Sequence, residues 1–170
     1  LFEKYFSGEQ FTAEEILSGI KKGVKAGTIT PVVCCSAFTL AGVDMVLDMI
    51  CELMPSPKEA DDEICMDSDG NPVELICADD QPLAAFVFKT IADPFVGKMS
   101  YVKVLSGKLT ADQIPVNTTT GQPERLGKII FVKGKKQEDT PQIGAGDIGA
   151  VTKLAGTNTG DMLCDPSRPL

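Results

Sequence analysis

Between Val43 and Met54 nine of twelve residues are apolar or cysteine, and the other three, Asp44, Asp48 and Glu52, recur at every fourth position. Wound as a helix that stops before Pro55 and Pro57, this segment gathers its polar groups into one narrow stripe and leaves the rest of its girth for burial. The run before it, Thr30-Pro31-Val32-Val33-Cys34-Cys35-Ser36, is short, unbroken and apolar, the pattern of a strand covered on both faces. A strand of that kind needs strands beside it, and a helix so apolar needs neighbours on more than one side. Residues 1–57 are too few to supply both. The expectation is that they form the tail of a larger α/β domain whose front lies outside this sequence.

Ahead of that pair, Thr12-Ala13-Glu14-Glu15 reads as a capping box opening a helix with Ala13, Ile16, Leu17, Ile20 and Val24 on one face. Lys21, Lys22 and Lys25 fall in its last turn, where they oppose the helix dipole, and Gly27 ends it. Residues 58–80 read as an acidic connector with a turn at Asp69-Gly70-Asn71-Pro72. From Pro82 the pattern becomes alternation broken by Gly and Asn. Strands are expected near Leu83–Ile91, Met99–Ser106, Ile114–Thr119, Arg125–Lys133, Ile148–Leu154 and Asp161–Cys164. The predicted fold is mainly β: a closed or nearly closed antiparallel β-barrel over 81–168, preceded by a partial α/β segment over 1–57.

The 170 residues include no His and no Trp. Ser-His-Asp and Cys-His nucleophiles, His-based zinc sites and imidazole general bases are thereby excluded, and no catalytic or metal-ligating constellation is expected. The six cysteines, Cys34, Cys35, Cys51, Cys65, Cys77 and Cys164, form no C-x-x-C pair and read as small buried hydrophobes in a reducing, cytoplasmic compartment. The longest apolar stretch, Pro31 to Met54, is interrupted by five polar residues and is not a membrane span. Net charge is −8, yet residues 1–80 carry −11 and residues 81–170 carry +3. That asymmetry suggests two units, one able to meet a polyanion, although solubility alone accounts for many such imbalances.

Three motifs reduce to turns or to nothing. Gly144-Ala145-Gly146-Asp147-Ile148-Gly149 is a G-x-G-x-x-G, but it precedes a strand where a dinucleotide site needs it to open a helix. Asp67-Ser68-Asp69-Gly70-Asn71 resembles a calcium loop, but Cys65 and Ile76 stand where its first and last carboxylates belong. No G-x-x-x-x-G-K-[ST] occurs. Lys98, Lys103, Lys108, Lys133, Lys135 and Lys136 are candidates for phosphate contacts to folded RNA, with a plain solvated face as the other reading. The aromatic residues of this half, Phe86, Phe88, Phe95, Tyr101 and Phe131, are expected to point mostly inward, which disfavours base stacking.

Segments in chain order resemble translation elongation factor G. Pro31 to Phe38, continuing through Gly42-Val43 to Leu53-Met54-Pro55-Ser56-Pro57, resembles the end of its GTP-binding domain. Ala85-Phe86-Val87-Phe88-Lys89, Asp93-Pro94-Phe95-Val96-Gly97-Lys98 and Val104-Leu105-Ser106-Gly107-Lys108-Leu109 resemble the start of its second domain. Gly146-Asp147-Ile148 and Thr159-Gly160-Asp161-Met162-Leu163-Cys164 resemble that domain's end. Cys35 and Met162 depart from the family's usual Gly and Thr, and Lys135-Lys136-Gln137-Glu138 stands where Arg-rich stretches are common, features of an elongation factor G-like paralogue.

The resemblance implies a GTPase that drives ribosomal translocation, with GTP or GDP and magnesium held by the full-length protein. It places Ser36, Ala37 and Phe38 at the guanine pocket, where the alanine N–H meets the guanine oxygen. The implied partners are small-subunit ribosomal RNA and the remaining domains of the same chain, with no membrane and no DNA. Two alternatives stay open: the same two domains from a ribosome-protection or release-type GTPase, and a free-standing β-barrel interaction module.

Overall fold

The computed structural model describes residues 1–93 and 97–170. The chain divides into two compact units, Leu1–Ala60 and Asp61–Leu170. Pro94, Phe95 and Val96, at the centre of the Asp93–Lys98 segment, lie outside the described residues.

The first unit holds α1 (Phe2–Ser7), α2 (Ala13–Lys25) and α3 (Val43–Leu53). The capping box is complete: the Glu15 N–H donates to Thr12 Oγ1 at 3.2 Å, and the Thr12 N–H donates to Glu15 Oε2 at 2.9 Å. Residues 30–36 do not form the expected strand. A strand exists only through a hydrogen-bonded neighbour, and this unit supplies none, so the run carries no regular secondary structure and Val32 is 84% exposed. No residue of the unit is buried. The cysteine reading therefore fails in part: Cys34, Cys35 and Cys51 are exposed because the apolar faces they belong to lie open, Cys65 and Cys77 are half-buried, and Cys164 alone is buried.

The second unit is antiparallel throughout. Its strands are β1 (Glu63–Met66), β2 (Pro72–Leu75), β3 (Ala84–Asp93), β4 (Gly97–Ser106), β5 (Leu109–Thr110), β6 (Val116–Asn117), β7 (Gln122–Pro123), β8 (Ile129–Lys133), β9 (Lys136–Asp139), β10 (Gln142–Ile143), β11 (Ile148–Thr152) and β12 (Met162–Cys164). Eight of them run in the order β7-β6-β12-β3-β4-β11-β8-β9, and β5 pairs separately with β10. One buried cluster draws Leu163 from β12, Val87 and Val104 from β3 and β4, Ile129 from β8, and Leu109 and Ile143 from β5 and β10. In a flat sheet β12 and β8 would stand about 19 Å apart. The sheet must curl to wrap this core, and the β5–β10 pair joins the wall, while β7 and β9 share no ladder among the described residues.

Two expectations change here. The acidic stretch 58–80 is not a bare connector: β1 and β2 pair from Glu63↔Leu75 to Met66↔Pro72 around the predicted turn. Cys65 and Leu75 pack with Ala84, Leu105, Met162 and Cys164 on the outer side of the sheet. Burial pushes the Cys164 thiol up to about 11. The phase of β3 is also the reverse of the one expected from its aromatics. Ala85 and Val87 fill the interior, so Phe86 and Phe88 project outward, 36% and 39% exposed. Phe88 sits at a register shift between Val87 and Lys89 and lies 6.2 Å from the Tyr101 ring.

The loop leading into β12 is held by buried polar groups. Asp161 Oδ2 accepts from Asn117 Nδ2 and from the Asn158 N–H, both at 2.8 Å. Glu124 Oε1 accepts from the Gly156 N–H at 2.7 Å and from Thr157 Oγ1 at 2.9 Å. Burial alone pushes the Asp161 carboxyl up, but the hydrogen bonds from Asn158, Asn117 and Thr119, with the Lys98 charge, outweigh it and hold the pKa below its ordinary 3.8. At the end of β4, Gly107 has φ +69°, and a Cβ there would stand 2.6 Å from the Gln81 carbonyl oxygen.

Gly107→Ala combines a left-handed backbone with a clash against main chain, and urea unfolding is expected to show a loss exceeding about 1 kcal/mol. Asp161→Ala takes the acceptor from the buried Asn117 Nδ2 and from the part-buried Asn158 N–H and is expected to cost about 1–3 kcal/mol at neutral pH. Because the Asp161 pKa is lower folded than unfolded, its contribution is complete above 3.8 and drains as pH falls through the lower folded value. The gap between wild type and Asp161→Ala should therefore narrow progressively in melts taken below pH 3.8.

Candidate functional site

Ser36, Ala37 and Phe38 begin the turn that leads into α3. The Ser36 N–H donates to the Ala41 carbonyl at 2.9 Å, and the Thr39 N–H donates to Ser36 Oγ at 3.3 Å, so the serine closes the turn from both sides. Ala37 and Phe38 are exposed, Phe38 by 98%. The Ala37 N–H has no acceptor among the described residues. A small side chain and a free N–H on an exposed turn can accept a planar ring carrying a carbonyl oxygen. This chain has no phosphate loop, and among the described residues no cluster of three or more His, Cys, Asp or Glu could hold a metal ion.

The six candidate lysines separate into different surroundings. Lys98 Nζ donates to Asn158 Oδ1 at 3.2 Å, at the start of β4. Lys103, an odd number of residues further along the strand and therefore on its other face, pairs with Glu63 at 3.2 Å. Lys108 follows Gly107, exposed, with no partner among the described residues. Only Lys133, Lys135 and Lys136 are brought together, at the β8–β9 hairpin. There Lys133 and Lys136 are register partners, Gly134 takes φ 62°, and Lys135 sits exposed in the turn. Glu138 bridges the pair, its Oε2 lying 2.9 Å from Lys133 Nζ and its Oε1 2.6 Å from Lys136 Nζ. Lys136 first and Lys133 second hold the Glu138 carboxyl below the usual carboxylate range.

The charge split at residue 80 does not coincide with a folded unit. Asp61–Leu170 carries 16 acidic and 11 basic residues, net −5, because the β1–β2 hairpin brings its acids with it. The lysine cluster is therefore local to the β8–β9 hairpin, where Glu138 offsets part of it and Asp139 pairs with Lys128 at 2.8 Å.

A feature that the sequence reading missed lies on the outer face of β3, β4, β11 and β12. Phe86, Phe88, Leu105, Ile148 and Met162 line an apolar hollow of about 490 Å³, with the Lys103–Glu63 ion pair at its rim. The signal was present in β3, where the small partners Ala85 and Val87 fit the crowded inside of a tightly curled sheet better than two phenylalanines do. Among the described residues no helix is long and apolar enough to cross a membrane.

Comparison with known proteins adds to this geometry. The family model of elongation factor G domain 2 matches residues 82–166. A crystal structure of a protein from Thermus thermophilus is similar over 99% of this chain, at 27% identity and a TM-score of 0.74, and the chain spans 23% of that protein's length. The matched residues of the family model run from the strand that sets the inward phase, through the lysine hairpin, to the Asp161 network and β12. The chain belongs to the family of elongation factor G domain 2, a translation-factor domain.

Proposed function

We propose that this chain is part of an elongation factor G-like translational GTPase, in which GTP hydrolysis drives tRNA–mRNA movement on the ribosome in the cytoplasm. The observation that carries this reading is the pairing of the domain 2 match over 82–166 with structural similarity that extends through the first unit as well. On this reading the Ser36–Phe38 turn forms one wall of a guanine pocket. The Ala37 N–H donates to the guanine oxygen, and the small residues let the base approach the backbone. Phosphate and magnesium binding belongs to other parts of the protein, since this chain has no phosphate loop. The β unit docks on small-subunit ribosomal RNA, with Lys133, Lys135 and Lys136 meeting phosphates and Lys98, Lys103 and Lys108 as further candidates.

Two measurements on the full-length factor test this reading. Ala37→Pro removes the N–H and is expected to weaken GDP binding about tenfold, the worth of one hydrogen bond, while Ala37→Gly leaves it nearly unchanged. Equal affinities would remove the turn from the guanine pocket. For the hairpin, changing Lys133, Lys135 and Lys136 together to Ala should flatten the dependence of log K on log salt for small-subunit binding by at least about one, the contribution of a lysine outside any ion pair. An unchanged slope would mean that these lysines do not meet the RNA.

A further inference from the structure

The β8–β9 hairpin sets two like charges opposite each other. A two-residue turn, Gly134-Lys135, pairs Lys133 with Lys136. Directly opposed side chains in an antiparallel ladder start about 5 Å apart, and like charges at that spacing repel. Glu138 relieves the repulsion. It lies two residues beyond Lys136 on the same face of β9, and each of its oxygens takes one ammonium, at 2.9 and 2.6 Å. Glu138 is half-buried, beside Phe131, its register partner on β8.

A carboxylate with one ammonium on each oxygen is chemically close to a phosphodiester, which also offers two unesterified oxygens to two cations. We infer that Glu138 fills, with its own carboxylate, a phosphate site between Lys133 and Lys136, and so limits how tightly the hairpin holds an RNA backbone. RNA would then have to displace an internal anion before reaching two of the three lysines. Lys135, in the turn and outside the bridge, would make the unopposed first contact. The inference rests on the proposed RNA docking of this hairpin and adds the residue that sets its strength.

Neighbouring charges make the assignment specific. Asp139 is next in sequence, but it lies on the opposite face of β9 and pairs with Lys128. Asp112 elsewhere in the unit accepts a hydrogen bond from Thr110 Oγ1 at 2.5 Å, and its carboxylate contacts no lysine among the described residues. Asp112→Asn therefore reproduces the change in net charge made by Glu138→Gln without freeing the lysine pair.

The test is binding of the 170-residue chain to a fluorescein-labelled RNA hairpin, followed by anisotropy across a salt series. Glu138→Gln is expected to bind at least about threefold tighter than wild type, with a salt slope steeper by about one to two, while Asp112→Asn shifts affinity less than about twofold. The Lys133, Lys135 and Lys136 triple alanine variant separates the two ideas. If it weakens binding but Glu138→Gln behaves like Asp112→Asn, or binds less tightly than wild type, the docking reading stands and the role of Glu138 is overturned. If the triple variant binds as well as wild type, both fall together. A thermal melt of each variant verifies that the exposed hairpin changes leave the fold intact.

Discussion

The Asp61–Leu170 unit depends on the long antiparallel pairing of β3 with β4. Each strand has ten residues, and each lends one face to the central cluster and the other to the hairpin side. Because side chains alternate along a strand, placing Ala85, Val87, Val102 and Val104 inside compels Phe86, Lys103 and Leu105 to stand outside. A slip of one residue would bury Lys103 and expose the valines. Register at this one ladder therefore sets which residues are core, which line the outer hollow, and which remain available to a partner.

Short elements are borrowed around that frame. The strands β5, β6, β7 and β10 have two residues each and hold their places through packing and through hydrogen bonds that are not part of a ladder. Asn117 and Asp161 tie β6 to the approach of β12, and Glu124 anchors residues 155–157 by their N–H and hydroxyl groups. Buried carboxylates of this kind stabilise only while every oxygen is satisfied, which is why the loop before β12 has a defined path. The lysine hairpin differs, since its ion pairs are solvent-facing and hold a local geometry more than they hold the fold.

The first unit follows a contrasting rule. Its helices are legible from capping and periodicity, but it has no buried residue, and its apolar 30–36 run has no ladder to join. Helical hydrogen bonds are internal to the segment, so α2 and α3 form although Ile20, Val24, Val46 and Met49 are only half-buried. A strand's hydrogen bonds are external, so residues 30–36 do not become one. The Ser36–Ala41 turn persists because its hydrogen bonds, like those of a helix, close within a few residues.

The amino-acid sequence alone determined what local chemistry determines. The Thr12–Glu15 cap, the apolar girth of α3, the turn at Asp69–Pro72, the alternation of β3, β4, β8, β11 and β12, and the absence of histidine chemistry were readable because each depends on residues near one another in the chain. Even the clustering of Lys133, Lys135 and Lys136 was readable, since four consecutive positions span them. Tertiary structure decided the rest. Only the curled sheet chose the phase that turns Phe86 and Phe88 outward, and only the folded hairpin brought the acids of 61–80 into the β unit. The two-residue strands β5, β6 and β10 became strands because partners distant in the chain supplied their hydrogen bonds. Glu138 became a bridge because cross-strand register set Lys133 opposite Lys136, a relation that exists between strands and not along one.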